Sequence, residues 1–328
     1  MIGQLLGGLH PRTHLAQRGL TRRRRPQRSL PVNSKVHCVH ILFLSIITAM
    51  DDIAVDPDFY SLTKDWEPED FESSPSDEQQ FEAFEIGDVA DKYPSATVRG
   101  IDIFPPPVTW VPPNCVFEVD DILQDWTWKE PFDFIHLRLL LGAFTPEGWD
   151  ELYKKCYDAL TPGAWIEQVE LDVRLYSDDN TLKEDSYLGG WGNNFIGCSE
   201  RSGRSLLTQE SMRGTMEKAG FVDAHEVLYK IPVGPWPRDK LLKETGRLQY
   251  LHWTTALEGW AMWLLTKFGA PSPWSSDEVQ VYLTKVRSEL RNPHVHAFEY
   301  ARRVWARKPT EEELEARAHI KVEPQHWP

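Results

Sequence analysis

The 328-residue sequence has no run of the roughly eighteen apolar residues needed to span a bilayer, and no cysteine pair at CxxC spacing. Its four cysteines, Cys38, Cys115, Cys156 and Cys198, lie far apart with no histidine-rich cluster beside them. That argues against a disulfide framework or a metal site and predicts reduced thiols in an intracellular protein. Acid is missing from residues 1–50, which hold eight basic side chains, including the run Arg22 to Arg25. Removing those eight charges from the net −14 leaves −22 on residues 51–328. So acidic a body repels phosphate backbones, and neither nucleic acid nor a membrane is an expected partner. Glycine is scarce where a phosphate or cofactor loop would need it: only Gly87 stands between Phe81 and Gly100.

The nine apolar residues Ile41 to Ala49 behind the basic run have the outline of a signal or transit peptide. The simpler expectation is that Met50, followed by DDIAVDPDFY, resembles an acidic natural start, with residues 1–50 a disordered basic extension. Residues 51–76 are acidic, interrupted by Pro57, Pro68 and Pro75, and read as a flexible arm.

Beyond the arm, strand and helix signals alternate as in an α/β sheet. Strands are expected at 96–102, 115–121, 132–138, 164–173, 221–234 and 295–309, with the domain spanning 77–309 and a tail at 310–328. TPEGWDELYKKCYDAL is a clear amphipathic helix with Pro146 in its first turn, stopped by Thr161, Pro162 and Gly163. Residues 176–220 are less regular. Tryptophan-rich helical segments follow within 236–292, and their aromatic spacing favours core over an aromatic lid. Phe81 to Tyr93 approximates one helical face, so a helix over about 77–93 is expected, leaving the sheet without its first strand.

Ligands of open α/β sheets collect beyond the carboxyl ends of the strands. Asp102 closes one strand with a carboxylate suited to the paired hydroxyls of a ribose, or is a simple strand-end acid. Asp120 and Asp121 close the next. An Asp there can accept from an adenine amine while the N–H of Ile122 donates to the ring, or the pair is a solvated turn. FDFIHLR sets His136 and Arg138 at a strand end, where an imidazole can take a proton or simply pack. Gln168 and Glu170 can face a substrate.

The tracts DVADKYPSATVRGIDI, WVPPNCVFEVDDILQDWTW, FDFIHLR, LTPGAWIEQVE, SDDNTL, MEKAGFVDAHEV and GPWPRDKLLKETGR resemble the fungal LaeA-like S-adenosylmethionine-dependent methyltransferases over about Asp88 to Pro309. The resemblance implies a class I methyltransferase fold, a mostly parallel seven-stranded sheet with an antiparallel last strand and a helical C-terminal lid. It implies S-adenosyl-L-methionine as cofactor, a small-molecule or protein methyl acceptor, a regulatory protein partner, and a cytoplasmic or nuclear location. It places Asp102 and Ile103 at the ribose, Asp120, Asp121 and Ile122 at the adenine, and His136, Leu137 and Arg138 beside the methyl group. His136 and Glu170 are the candidate catalytic groups. Family members carry a glycine-rich loop where this chain reads EIGDVAD, so Glu85 and Gly87 are what is left of that motif. Its absence opens a second expectation, a methyltransferase-like protein that is impaired or shortened and acts through protein contacts. A nicotinamide enzyme using Asp102 is a weaker third, since FEVDD and the long helical C-terminal part have no place in it.

Overall fold

The computed structural model describes residues 36–40, 87, 89–103 and 111–320. Seven strands form one sheet: β1 (Val36–His40), β2 (Ala96–Asp102), β3 (Cys115–Val119), β4 (Phe132–Arg138), β5 (Leu160–Leu171), β6 (Val222–Pro232) and β7 (Phe298–Arg307). Their order is β3-β2-β1-β4-β5-β7-β6. β1 to β5 run parallel, and β7 is antiparallel to both β5 and β6. The strand order reverses between β1 and β4, which places a binding crevice beyond their carboxyl ends.

The sheet does not lack its first strand. Val36–His40, inside the extension expected to be disordered, lies in the interior of the sheet and pairs with Ala96 to Gly100 on one side and Phe134 to His136 on the other. VHCVH has the β-branched residues a strand favours, but five residues in a basic region give no sustained period, and the pairing that selects them comes from β2 and β4. Gly87 and residues 89–92 are helical, in keeping with the end of the expected helix. The rest of that helix and the acidic arm lie outside the described residues.

The helices are α1 (Pro146–Ala159), α2 (Trp191–Ser202), α3 (Thr208–Lys218), α4 (Lys240–Phe268), α5 (Ser276–Leu290) and α6 (Glu311–Ile320). Thr145 caps α1 by accepting from the Gly148 N–H at 3.2 Å, and Trp149, Leu152, Tyr153 and Cys156 are buried along one face. With α3, that face covers Ile135, Leu137, Ile166 and Val304 of the sheet in the main apolar core. The helix ends at Ala159, where Thr161, Pro162 and Gly163 were expected to stop it, but these three residues already belong to β5, which begins at Leu160 and not at Ala164. The pairing slips between Phe132 and Phe134, and Gly163 takes φ +83° while its N–H reaches the Lys308 and Pro309 carbonyls. Such a bulge accommodates a proline that a regular ladder would reject.

α2 lies in the stretch that reads as irregular, because its glycines mask it. A side chain at Gly192 would strike Arg174, so the helix needs glycine there to approach the chain that follows β5. α6 continues the ordered chain past Pro309: Thr310 and Glu313 hydrogen-bond reciprocally at its start, and Arg307 pairs with Glu313. α4 and α5 form an insertion between β6 and β7, and their second apolar core with α2 holds Trp191, Phe195, Trp253, Leu257, Tyr282 and Leu283. Trp253 and Trp191 are therefore core, whereas Trp260 and Trp263 of α4 are exposed.

The GPWPRDKLLKETGR tract owes its two glycines to a backbone contact. The Gly234 N–H donates to the Gly246 carbonyl at 2.9 Å, and a Cβ on Gly246 would collide with the Gly234 carbonyl. Alanine in a helix interior gains about 1 kcal/mol over glycine, but here it must push α4 off the backbone, an overpacking cost of about 1–3 kcal/mol or more. Gly246→Ala is therefore expected to lower stability in urea denaturation.

Candidate active site

The ends of β2 and β3 are tied together, because the Asp120 N–H donates to the Asp102 carbonyl at 3.0 Å. Asp102 is half-buried, and Ile103 beyond it is 64% exposed. Asp120 accepts from the Asp121 N–H at 2.8 Å, and Asp121 accepts from the Leu123 N–H at 3.0 Å and the Gln124 amide at 3.3 Å. The acidic pair is thus a hydrogen-bonded turn, braced from α1 by Lys155, whose ammonium donates to the Leu123 and Gln124 carbonyls. Two acceptor contacts leave a carboxylate further lone pairs. Ile122 sends its side chain into the main core, so only its backbone can meet a ligand.

His136 and Glu167 are register partners on β4 and β5, with the imidazole Nδ1 3.1 Å from the Glu167 carboxylate. Arg303 of β7 donates to the other carboxylate oxygen from Nε at 2.7 Å. Burial pushes the Glu167 carboxyl up, but His136 and Arg303 outweigh it and hold it below the usual range. This trio, with His136 and Glu167 buried and Arg303 half-buried, fixes His136 in place across three strands. Leu137 is fully buried in the opposite face.

Arg138, the last residue of β4, is buried. Leu139 after it takes φ +47°, a strained left-handed conformation for a leucine, and its N–H donates to the Val169 carbonyl at 3.1 Å. The strained turn is held by Glu170, whose Oε1 accepts from the Leu140 N–H at 3.0 Å and the Gln168 amide at 2.8 Å. Tyr153 in turn donates to Gln168. The other Glu170 oxygen, Oε2, is buried with no hydrogen-bond partner. Burial raises the Glu170 carboxyl to about 7, against its hydrogen bonds and the Arg138 charge.

α4 lies over this edge of the sheet. His252 is lowered to about 4 by burial and by the Arg138 charge, which keeps it neutral. The Gln249 amide nitrogen is 3.3 Å from His252 Nδ1 and also donates to Glu299 at the start of β7. Burial raises the Glu299 carboxyl to about 8. Sequence reasoning missed Gln249, His252, Glu299, Glu167 and Arg303. The one available signal was a carboxylate or guanidinium on the alternation of FEYARRVWAR that otherwise buries Ala301.

The adenosine half of S-adenosylmethionine fits what is present: Asp102, Asp121 and the Ile122 backbone close adjacent strands beside the switch point. The methionine half has no glycine-rich turn to receive it, since there is no glycine from residue 41 to residue 86. Glu85 lies outside the described residues. Gly87 is helical, and a Cβ there would meet only Pro112 at 3.8 Å, so no close approach demands a glycine. Among the described residues no cluster of His, Cys, Asp and Glu is arranged to hold a metal ion, and no helix is long and apolar enough to cross a membrane.

A family profile described as a methyltransferase domain matches residues 85–226, and with the strand order above it defines a class I methyltransferase domain. Methyltransferase pytC of Aspergillus terreus is 36% identical over 210 residues, 64% of this chain and 63% of that protein. The secondary metabolism regulator LAE1 of Cochliobolus heterostrophus is 35% identical over 226 residues, 68% of this chain and 72% of that protein. The protein-methionine methyltransferase laeA of Emericella nidulans is 30% identical over 227 residues, 68% of this chain and 59% of that protein. The chain thus belongs to the LaeA-like methyltransferase family of fungi, whose cofactor is S-adenosyl-L-methionine. It spans 63% of the length of the pytC proteins it matches.

Proposed function

We propose that the chain is an S-adenosylmethionine-dependent methyltransferase serving fungal secondary metabolism or its regulation. The observation that carries this is the pair of acidic strand ends on one side of the switch point of a methyltransferase sheet, Asp102 after β2 and Asp120–Asp121 after β3, joined by the Asp120 N–H to the Asp102 carbonyl. Asp102 holds the ribose hydroxyls, and Asp121 with the Ile122 N–H holds the adenine. The bound cofactor supplies an electrophilic methyl group. Arg138 and the Leu139 turn face the acceptor side. Glu170 is the better candidate proton acceptor, because Oε2 is unpartnered whereas His136 is engaged by Glu167.

Without a glycine-rich turn, two or three backbone hydrogen bonds to the methionine half are lost, each worth about 1 kcal/mol. Binding is then weaker by roughly thirtyfold to 150-fold than in a relative with the loop. Titration calorimetry is expected to give saturable heat with S-adenosylmethionine, and Asp102→Asn should abolish it. No heat at about 1 mM ligand would sink this reading. That result would favour the second one, an inactive relative that works through protein contacts, for which the glycine-free stretch is the specific motive.

A further inference from the structure

α4 buries Trp253, Leu257, Ala261 and Leu264 on one side, while Leu248, Trp260 and Trp263 remain 43%, 37% and 53% exposed. The outward strip runs from Glu244 through Leu248, Gly259 and Trp263 to Lys267, all exposed and all at near-whole turns of the helix. No charged side chain interrupts it between its two ends. Arg247 and Glu258 lie to one side, Arg247 paired with Glu244 and Glu258 turned to Gln280 of α5. In a chain whose residues 51–328 carry −22, so long an uncharged strip with two exposed tryptophans marks a contact surface. We propose that this strip is where the protein self-associates, pairing antiparallel with the same strip of a second copy about a two-fold axis at Thr255–Ala256. The proposal is independent of the methyltransferase reading.

The pattern of the strip selects a second copy over a different partner. In a two-fold contact every pair forms twice, residue i of one copy on residue j of the other and the reverse. Leu248 and Trp263 are equally far from the point between Thr255 and Ala256, and so are Glu244 and Lys267. Antiparallel pairing about that point sets each Leu248 on the other copy's Trp263, and each Glu244 carboxylate against the other copy's Lys267 ammonium. Gly259 is related to His252 by the same axis. A Cβ on Gly259 would meet nothing within 4 Å, so the glycine leaves room there for an imidazole from the other copy. From Glu244 to Lys267 the strip is about 35 Å long and about 10 Å wide, roughly 350 Å² on each copy. That is below the roughly 800 Å² per partner of a stable complex, so the dimer is a reversible one.

Sedimentation equilibrium of the full chain tests this, and a monomer–dimer equilibrium with a dissociation constant of about 10–100 μM is expected. Trp263→Glu, at an exposed position, should keep the circular dichroism of the wild type and weaken association by about tenfold or more. Glu244→Lys and Lys267→Glu should each weaken it about tenfold, because each sets like charges together twice. The double variant, Glu244→Lys with Lys267→Glu, restores opposite charges and should return to within about threefold of the wild type. A chain that stays monomeric at about 300 μM overturns the proposal and assigns the strip to another part of the chain or to a different protein. A dimer that Trp263→Glu leaves intact also overturns it, and places the contact elsewhere, as at the outer edge of β6. So does a double variant that associates no more tightly than the single ones, since the two charges then do not meet across the axis.

Discussion

A chain begun at Met50 is expected not to form the native sheet, whereas one begun at Lys35 should fold as the full chain does. β1 is an interior strand, third of the seven, in register with five residues of β2 and three of β4. Without it, β2 and β3 lose their connection to the other four strands, and two unpaired edges face each other across the middle of the sheet. Several ladder hydrogen bonds disappear, each worth about 1 kcal/mol net, and buried backbone groups are left without partners at about 1–3 kcal/mol each. Against a total stability of about 5–15 kcal/mol, that loss is decisive. Urea denaturation followed by circular dichroism, with gel filtration to detect association through the open edges, checks it. A cooperative transition at the full-length midpoint in the Met50 chain would show that Val36–His40 does not join β2 to β4.

That strand marks where local reading stopped working. Ala96–Asp102 and Phe132–Arg138 were legible to the residue, because each is an apolar run closed by polar residues, and α1 was legible from its helical stripe and its proline. VHCVH was not, because five residues beside a basic run and a longer apolar run carry too little pattern, and their partners on β2 lie 60 residues later. The acidic strand ends were visible as candidates because the rule about carboxyl ends needs only strand boundaries. The polar groups around Arg138 were only half visible. Gln249 and His252 share a turn of helix with Trp253, where the tryptophans suggested core, and Glu299 meets them only through the fold. Glu170 could be singled out, but nothing local distinguished its bonded oxygen from its unpartnered one. The glycine deficit was fully legible, and the structure moves it: the stretch that should carry the loop now begins after His40 and not before Gly87.

Removing the Glu167 carboxylate is expected to be the most destabilising single substitution at the site. Glu167 is 1% exposed and bonds His136 on one oxygen and Arg303 on the other. Glu167→Ala leaves a half-buried guanidinium and a buried imidazole without their shared acceptor, at a cost of about 3 kcal/mol, the low end for breaking a buried pair. Glu167→Gln should recover part of that, since its amide oxygen still accepts one bond, but its NH2 then opposes a donor. The pH dependence follows from the depressed carboxyl. Its folded value lies below its unfolded one, so its stabilisation is fully present above the unfolded value of about 4.5 and is lost as pH falls through the folded value. The wild-type chain should therefore lose stability more steeply than Glu167→Gln as pH falls below about 4.5, and the two urea midpoints should converge in acid. Parallel curves for wild type and Glu167→Gln would show that Glu167 binds its proton equally well folded and unfolded. In that case the trio would not hold His136 by charge, and the argument for Glu170 over His136 as proton acceptor would lose its main support.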